Sequence, residues 1–130
     1  MKARNDFVTN SSSSSFIVAQ KNGCTFDEVK TSVLKCREKI KSMLERHGKY
    51  IYPENEEIKN NLSNGNIDKA VELAIEEIAE KLFDFSGDKD MKIGEWTVYT
   101  QELSDEEGYL FNMAMFNIGS WMESENLRIS

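Results

Sequence analysis

Cys24, Cys36 and His47 are the side chains of this sequence best suited by type to nucleophilic chemistry. Such chemistry needs a thiolate, a base and a group that orients the base. Cys24 stands just before a predicted helix start, where the helix dipole lowers a thiol pKa. His47 is the single histidine. If residues 25–47 form one straight helix, it lies roughly 30 Å from Cys24, at about 1.5 Å per residue. The two cannot then meet: Cys24 reads as a boundary residue and His47 as a partner of the helix C-terminus. Cys24 and Cys36 are about 18 Å apart on the same count, beyond the reach of a disulfide. Free thiols and a reducing compartment are expected.

The carboxylates offer three further chemistries. Asp84 to Glu95, with Asp88 and Asp90, has the look of a calcium loop, which wants oxygen ligands at alternate positions and a glycine at the sixth. Counted from Asp88, Lys92 and Ile93 occupy the fifth and sixth positions, so a solvated turn is expected and no metal. Glu102, Asp105, Glu106 and Glu107 crowd one stretch, but acid–base work wants two carboxyls in unlike environments. These read as acids at a helix start, with a small carboxylate enzyme as an alternative. Glu54, Glu56, Glu57, Glu72, Glu76, Glu77 and Glu80 form the third set, an acidic face able to meet a basic partner.

Charge layout favours that last reading. Residues 1–50 hold ten Lys/Arg against five Asp/Glu, and residues 51–130 hold six against eighteen. Either the two parts neutralise each other across the fold, or the acidic part presents a field to a basic surface. Lys30, Lys35, Arg37, Lys39, Lys41, Arg46 and Lys49 could meet phosphates, but a net charge of −7 opposes binding to a duplex, and direct nucleic-acid binding is not expected. Ser11–Ser15 contains neither the glycine nor the lysine of a phosphate cradle and reads as a loop.

These groups are positioned by periodic segments. Phe26, Val29, Val33, Cys36, Ile40, Met43 and His47 alternate spacings of three and four, one apolar seam along a helix. Thr25 with Glu28 is a capping box at its start. Gly48 is placed to end it in the left-handed conformation. Pro53 and its glutamates open a second helix over Glu54–Leu62, ended by the turn at Ser63–Asn66. Ile67, Val71, Ala74, Ile75, Ile78 and Leu82 make the buried face of a third helix over Ile67–Phe83, which should pack against the first. Asp88–Lys92 reads as a polar loop. Phe16–Gln20, Glu95–Leu103 and Asn126–Ile129 read as strands, the second the best by β-branched and aromatic content. Tyr109–Met122 reads as a helix, with Ser104 and Glu107 repeating the capping-box pattern.

The opening Arg4, Asp6-Phe7-Val8-Thr9-Asn10, Ser11–Ser15, Phe16-Ile17-Val18 resembles an N-terminal pattern of small, uncharacterised bacterial and phage proteins. The resemblance implies a bacterial or phage origin and brings no activity, cofactor or site residue.

The expected fold is α+β: about four helices packed on a small, mostly antiparallel sheet of two or three strands. A Ser-rich segment, 1–15, precedes a single domain, 16–130. At 39% hydrophobic and 30% charged, with no apolar run long enough for a bilayer or a signal peptide, the chain reads as cytoplasmic. The expected function is non-catalytic binding of another protein with a basic surface, as an acidic inhibitor or neutralising partner of a bacterial, nucleic-acid-handling enzyme. No cofactor and no membrane enter that reading. Self-association through Trp96, Trp121 and Met122 is a further alternative.

Overall fold

Strand β1 (Ser13–Lys21) runs through the middle of the sheet in the computed structural model, which describes residues 13–84, 91–104, 108–118 and 122–130. It is followed by α1 (Phe26–Leu34), α2 (Arg37–His47), α3 (Glu56–Ser63) and α4 (Ile67–Asp84), then β2 (Met91–Ile93), β3 (Trp96–Ser104), α5 (Leu110–Ile118) and β4 (Leu127–Ile129). The architecture is α+β as expected, with five helices and four strands among the described residues rather than about four and two or three. The sheet is antiparallel throughout, in the order β2-β3-β1-β4.

The single long helix over 25–47 is not formed. Its start is as expected: the Glu28 N–H donates to the Thr25 hydroxyl, and the Thr25 N–H donates to the Glu28 carboxylate. The hydroxyls of Thr31 and Ser32 then turn back to the carbonyls of Asp27 and Glu28, a pattern that bends helices. The Cys36 N–H reaches Val33 O at 2.9 Å, three residues back, and α2 starts afresh at Arg37. The seam survives the break. Val29, Val33, Cys36, Ile40 and Met43 are all buried, because a turn tightened to three residues absorbs one of the three-residue spacings.

Gly48 ends α2 in the right-handed region, at φ −54°, not the left-handed one. Glycine is required there for room, since a Cβ would stand 2.5 Å from the Leu44 backbone oxygen and 3.0 Å from Leu62 Cδ1 on α3. The second helix starts at Glu56, later than Pro53 suggests, because the Asn55 side chain caps it by accepting the Glu57 N–H at 3.0 Å.

Two departures concern strands. Ser13–Ser15 belong to β1, paired with Ser104, Leu103 and Glu102, rather than to a loop. Met91–Ile93, within the expected polar loop and its flank, pair with Trp96–Val98 as β2. Serine carries little β preference of its own and the distant β3 supplies its pairing, whereas Met91–Ile93 pair with β3 through the tight turn at Gly94-Glu95, with Gly94 at φ 58°. Helix α5 is shorter than Tyr109–Met122, and Glu107 of its expected capping box lies outside the described residues.

Helix α4 is the centre of the core. Ala70, Val71, Ala74, Ile75, Ile78, Ala79 and Leu82 are all buried, and α1, α2, α3 and α5 pack on it. Its three buried alanines let the neighbouring helices approach closely. Leu82 lies in the last turn, where carbonyls have no partner within the helix. Its oxygen accepts from the buried Tyr99 hydroxyl at 3.0 Å and from the Gln20 side chain, which also donates to Tyr99 Oη. The helix layer is thereby fastened to β3 and β1. Tyr99→Phe removes both hydrogen bonds of the hydroxyl, to Leu82 O and from Gln20, and should lower unfolding free energy by about 1–3 kcal/mol. Urea denaturation with an unchanged m-value checks it.

Candidate functional site

Of the seven acids singled out by the sequence, Glu77 behaves unlike the rest. It is 8% exposed, on an inner flank of α4. Its Oε1 accepts the Glu54 and Asn55 N–H groups at 3.0 Å each, and Oε2 accepts the Glu54 N–H at 3.1 Å. Those amides lead into α3, whose positive end favours a carboxylate. Glu77 therefore acts within the chain, as a cap borrowed from another helix. The sequence did hold a signal for this. Ala70, Ala74, Glu77 and Lys81 are spaced four, three, four, which places Glu77 on a seam with two alanines rather than on the outer face.

The run from Ile51 to Asn55 is fixed at both ends. At one end Tyr52 bridges to Tyr109: the Tyr52 N–H donates to Gly108 O at 2.8 Å, and the Leu110 N–H donates to Tyr52 O at 3.0 Å. Gly108 sits at φ 73°, and a Cβ there would stand 2.7 Å from Tyr50 O, so a side chain would part the two segments. At the other end Glu77 holds the amides. Between these anchors opens a cleft of about 430 Å³, lined by Tyr52, Tyr109, Gln101, Glu54, Glu77 and Lys81 among others. Two shallower hollows of about 270 and 410 Å³ adjoin it. Both share Glu54, Glu77 and Glu80, the first adding Lys81 and Asp84, the second Glu76. Glu54 is paired with Lys81.

The structure thus brings Glu54, Glu76, Glu77 and Glu80 to one region. Glu72 continues it along α4, and Glu56 and Glu57 stand in the first turn of α3. Glu72, Glu76, Glu80 and Asp84 are exposed at every fourth position of α4, a stripe about 18 Å long. Among the described residues, the first part of the chain neutralises little of this. Arg37 and Lys41 reach Asp68, and Lys21 reaches Glu95. Among the described residues, none of Glu56, Glu57, Glu72, Glu76, Glu80 and Asp84 takes part in an ion pair.

The other candidates fare differently. The Cys24 thiol is raised above its ordinary pKa, by burial first and the Glu28 charge second, against the lowering expected from the helix dipole. Its sulfur approaches Gln20 Oε1 at 4.0 Å. His47 closes α2 on the far side of the break at Lys35-Cys36, so the straight-helix separation no longer applies, but the contacts of Cys24 lie with β1 and α1. Cys36 is buried, and burial raises its thiol too. Glu102 is exposed on β3, opposite Ser15. Asp105, Glu106 and Glu107 lie outside the described residues, as do Asp88 and Asp90 of the calcium-like loop. Among the described residues, no three His, Cys, Asp or Glu side chains gather as a metal site, and no helix is long and apolar enough to cross a membrane.

Tyr52, Tyr109, Lys81 and Asp84 are site residues that sequence reasoning missed. Asp84 continues a visible four-residue spacing. The two tyrosines meet only through the bridge between distant segments. The chain matches no family model, no curated protein and no solved structure.

Two outcomes follow for variants and reagents. Glu77→Gln keeps one oxygen for the Glu54 and Asn55 amides but removes the charge and sets a donor where Oε2 accepts the Glu54 N–H, and should cost about 1–3 kcal/mol, whereas Glu76→Gln should stay within about 0.5 kcal/mol; thermal unfolding compares them. Because only thiolate reacts, Cys24 in the folded chain should be alkylated by iodoacetamide at pH 8 more slowly than a free cysteine, which a mass-resolved time course reads directly.

Proposed function

We propose that this chain is a non-catalytic protein-binding module that sets the acidic face of α3 and α4 against a basic surface of another protein. The observation that carries the reading is the stripe of Glu72, Glu76, Glu80 and Asp84, none of which takes part in an ion pair among the described residues. Like charges four residues apart each cost a helix about 0.2–0.5 kcal/mol. A chain that keeps several in a row bears that cost for something outside the fold, and a cationic surface would relieve it. The favoured partner is a nucleic-acid-handling enzyme of a bacterium, whose groove for phosphates is basic by necessity, with this chain as its inhibitor or neutralising partner in the cytoplasm. The N-terminal resemblance to bacterial and phage proteins supports that setting.

The outer face of the sheet favours a second reading, self-association. Ile17, Met91 and Ile93 are exposed there beside the half-buried Trp96 and Val98. Met122 is buried and does not contribute, and Trp121 lies outside the described residues. A concentration-dependent sedimentation coefficient would favour it over the first.

Affinity capture from bacterial lysate tests the main reading, comparing the wild type with a triple variant carrying Glu72→Gln, Glu76→Gln and Glu80→Gln. The expected outcome is a basic protein retained at low salt by the wild type, released as salt rises, and lost by the variant. Retention that ignores both salt and the three substitutions would end the proposal.

A further inference from the structure

The outer side of the sheet departs from the alternation usual in an antiparallel sheet with one solvated face. Val18 and Tyr99 are opposite each other and point into the core. Their neighbours Ile17, Ala19, Met91, Ile93, Trp96 and Val98 therefore point the other way. Such outward positions are expected to be polar. Instead Ile17 is 47% exposed, Met91 60% and Ile93 55%, around the half-buried Trp96 and Val98. A contiguous apolar patch of this kind marks a surface that another molecule covers.

The charges at its two ends decide which molecule that is. At one end Arg128 Cζ lies 4.9 Å and Lys21 Nζ 5.8 Å from the centroid of the Trp96 ring. At the other end Glu102 is exposed on the same face of β3, about 20 Å along the strand from Trp96. Among the described residues neither Arg128 nor Glu102 takes part in an ion pair, and the Lys21–Glu95 contact is long, at 3.9 Å. The face thus has a cationic end, an apolar middle and an anionic end. A surface so arranged is its own complement after a half-turn about an axis that crosses the strands between Ile17 and Ala19, in the plane of contact. That operation sets Trp96 and its two cations over Glu102 of the second copy, and Ile17 over Ala19, a large side chain against a small one. Packed sheets lie about 10 Å apart with their strands within about 30° of each other, a gap that side chains of these sizes fill. A partner of one charge throughout would match one end and be repelled by the other.

We propose that two copies of this chain pair face to face across the outer side of the sheet, strands antiparallel, with Arg128 and Lys21 of each copy meeting Glu102 of the other. This rests on the self-association reading and gives it a surface and an orientation; the acidic stripe, on the helix layer, takes no part. Two strands of nine residues flanked by two of three make a face of about 30 Å by 15 Å. That is the size of a weak interface rather than an obligate one, so the pair dissociates on dilution.

Sedimentation equilibrium of the full chain over about 1 μM to 1 mM tests the pairing. The expected result is a reversible monomer–dimer equilibrium. Met91→Lys combined with Ile93→Lys should weaken it about tenfold or more, by burying charge where apolar surface was covered. Glu102→Arg and Arg128→Glu should each weaken it about fivefold, by setting like charges together. Combining those two reversals should restore most of the loss, because the half-turn brings the exchanged charges against each other. All four positions are exposed, and circular dichroism with thermal unfolding reports that each variant is folded. A dimer that every variant leaves unchanged would overturn the sheet face while keeping self-association. A dimer weakened by the two lysines but not restored by the combined reversals would overturn the half-turn arrangement. A monomer at every concentration would remove the proposal and the self-association reading together, and leave the acidic-face reading to its own test.

Discussion

A buried carboxylate that accepts two backbone amides from the segment leading into another helix organises the region of α3 and α4. Among the described residues, Glu77 and Ser32 are the buried polar side chains apart from the Tyr99 hydroxyl. Removing a carboxylate from water costs several kcal/mol unless it is hydrogen-bonded, and unpaired amides at a buried helix entrance cost as well. Each need is met by the other. The bond sets where the chain leaves Pro53, hence where α3 starts, and it holds Glu54 beside Lys81. The cleft, the hollows and the relation of α3 to α4 follow from that one arrangement. A residue that resembles its exposed neighbour Glu76 in sequence is the one on which the shape of the site depends.

The same economy recurs in the last turn of α4. The carbonyl of Leu82, left over by the helix, receives Tyr99 and Gln20 from two adjacent strands. Helix ends are where backbone groups lack partners, and here they join the two layers. Phe16 against Phe116 on α5, edge to face with ring centroids 5.5 Å apart, completes the contact between sheet and helices. The core between these ties is apolar: Val18, Ile129 and Leu127 from the sheet meet a helix layer built around α4.

What the sequence disclosed is what local rules govern. The Thr25–Glu28 box, the seam through Cys36, the strand from Trp96 and the helix over Leu110–Ile118 all express spacing or residue type within a dozen positions. The failures share a cause as well. The break at Lys35-Cys36 is invisible to a periodicity that a tightened turn preserves. The entry of Ser13–Ser15 into β1 depends on residues 102–104, and no local preference of serine predicts it. Spacing suggests that Gly48 is needed for its dihedral freedom, whereas the requirement is for room, against the Leu44 backbone oxygen first and Leu62 of α3 second. At the site, the acids were legible as a set. Their division into one buried cap and an exposed stripe needed the position of α3, and the tyrosine walls needed the bridge between residues 52 and 109.

The sheet order has a consequence for how the chain reaches this form during synthesis. Strand β1 leaves the ribosome first, but the partner on its longer side, β3, begins only at Trp96. Translation at about 5–20 residues per second makes that delay several seconds. Throughout it the Phe16-Ile17-Val18-Ala19 run has neither of its neighbours and is open to mispairing with other nascent chains. The helices α1 to α4 emerge in the interval and can collapse around α4 through contacts close in sequence. Val18 is fully buried in the finished fold. The apolar surface against which Val18 finally packs is thus synthesised before the strands that complete the sheet around β1.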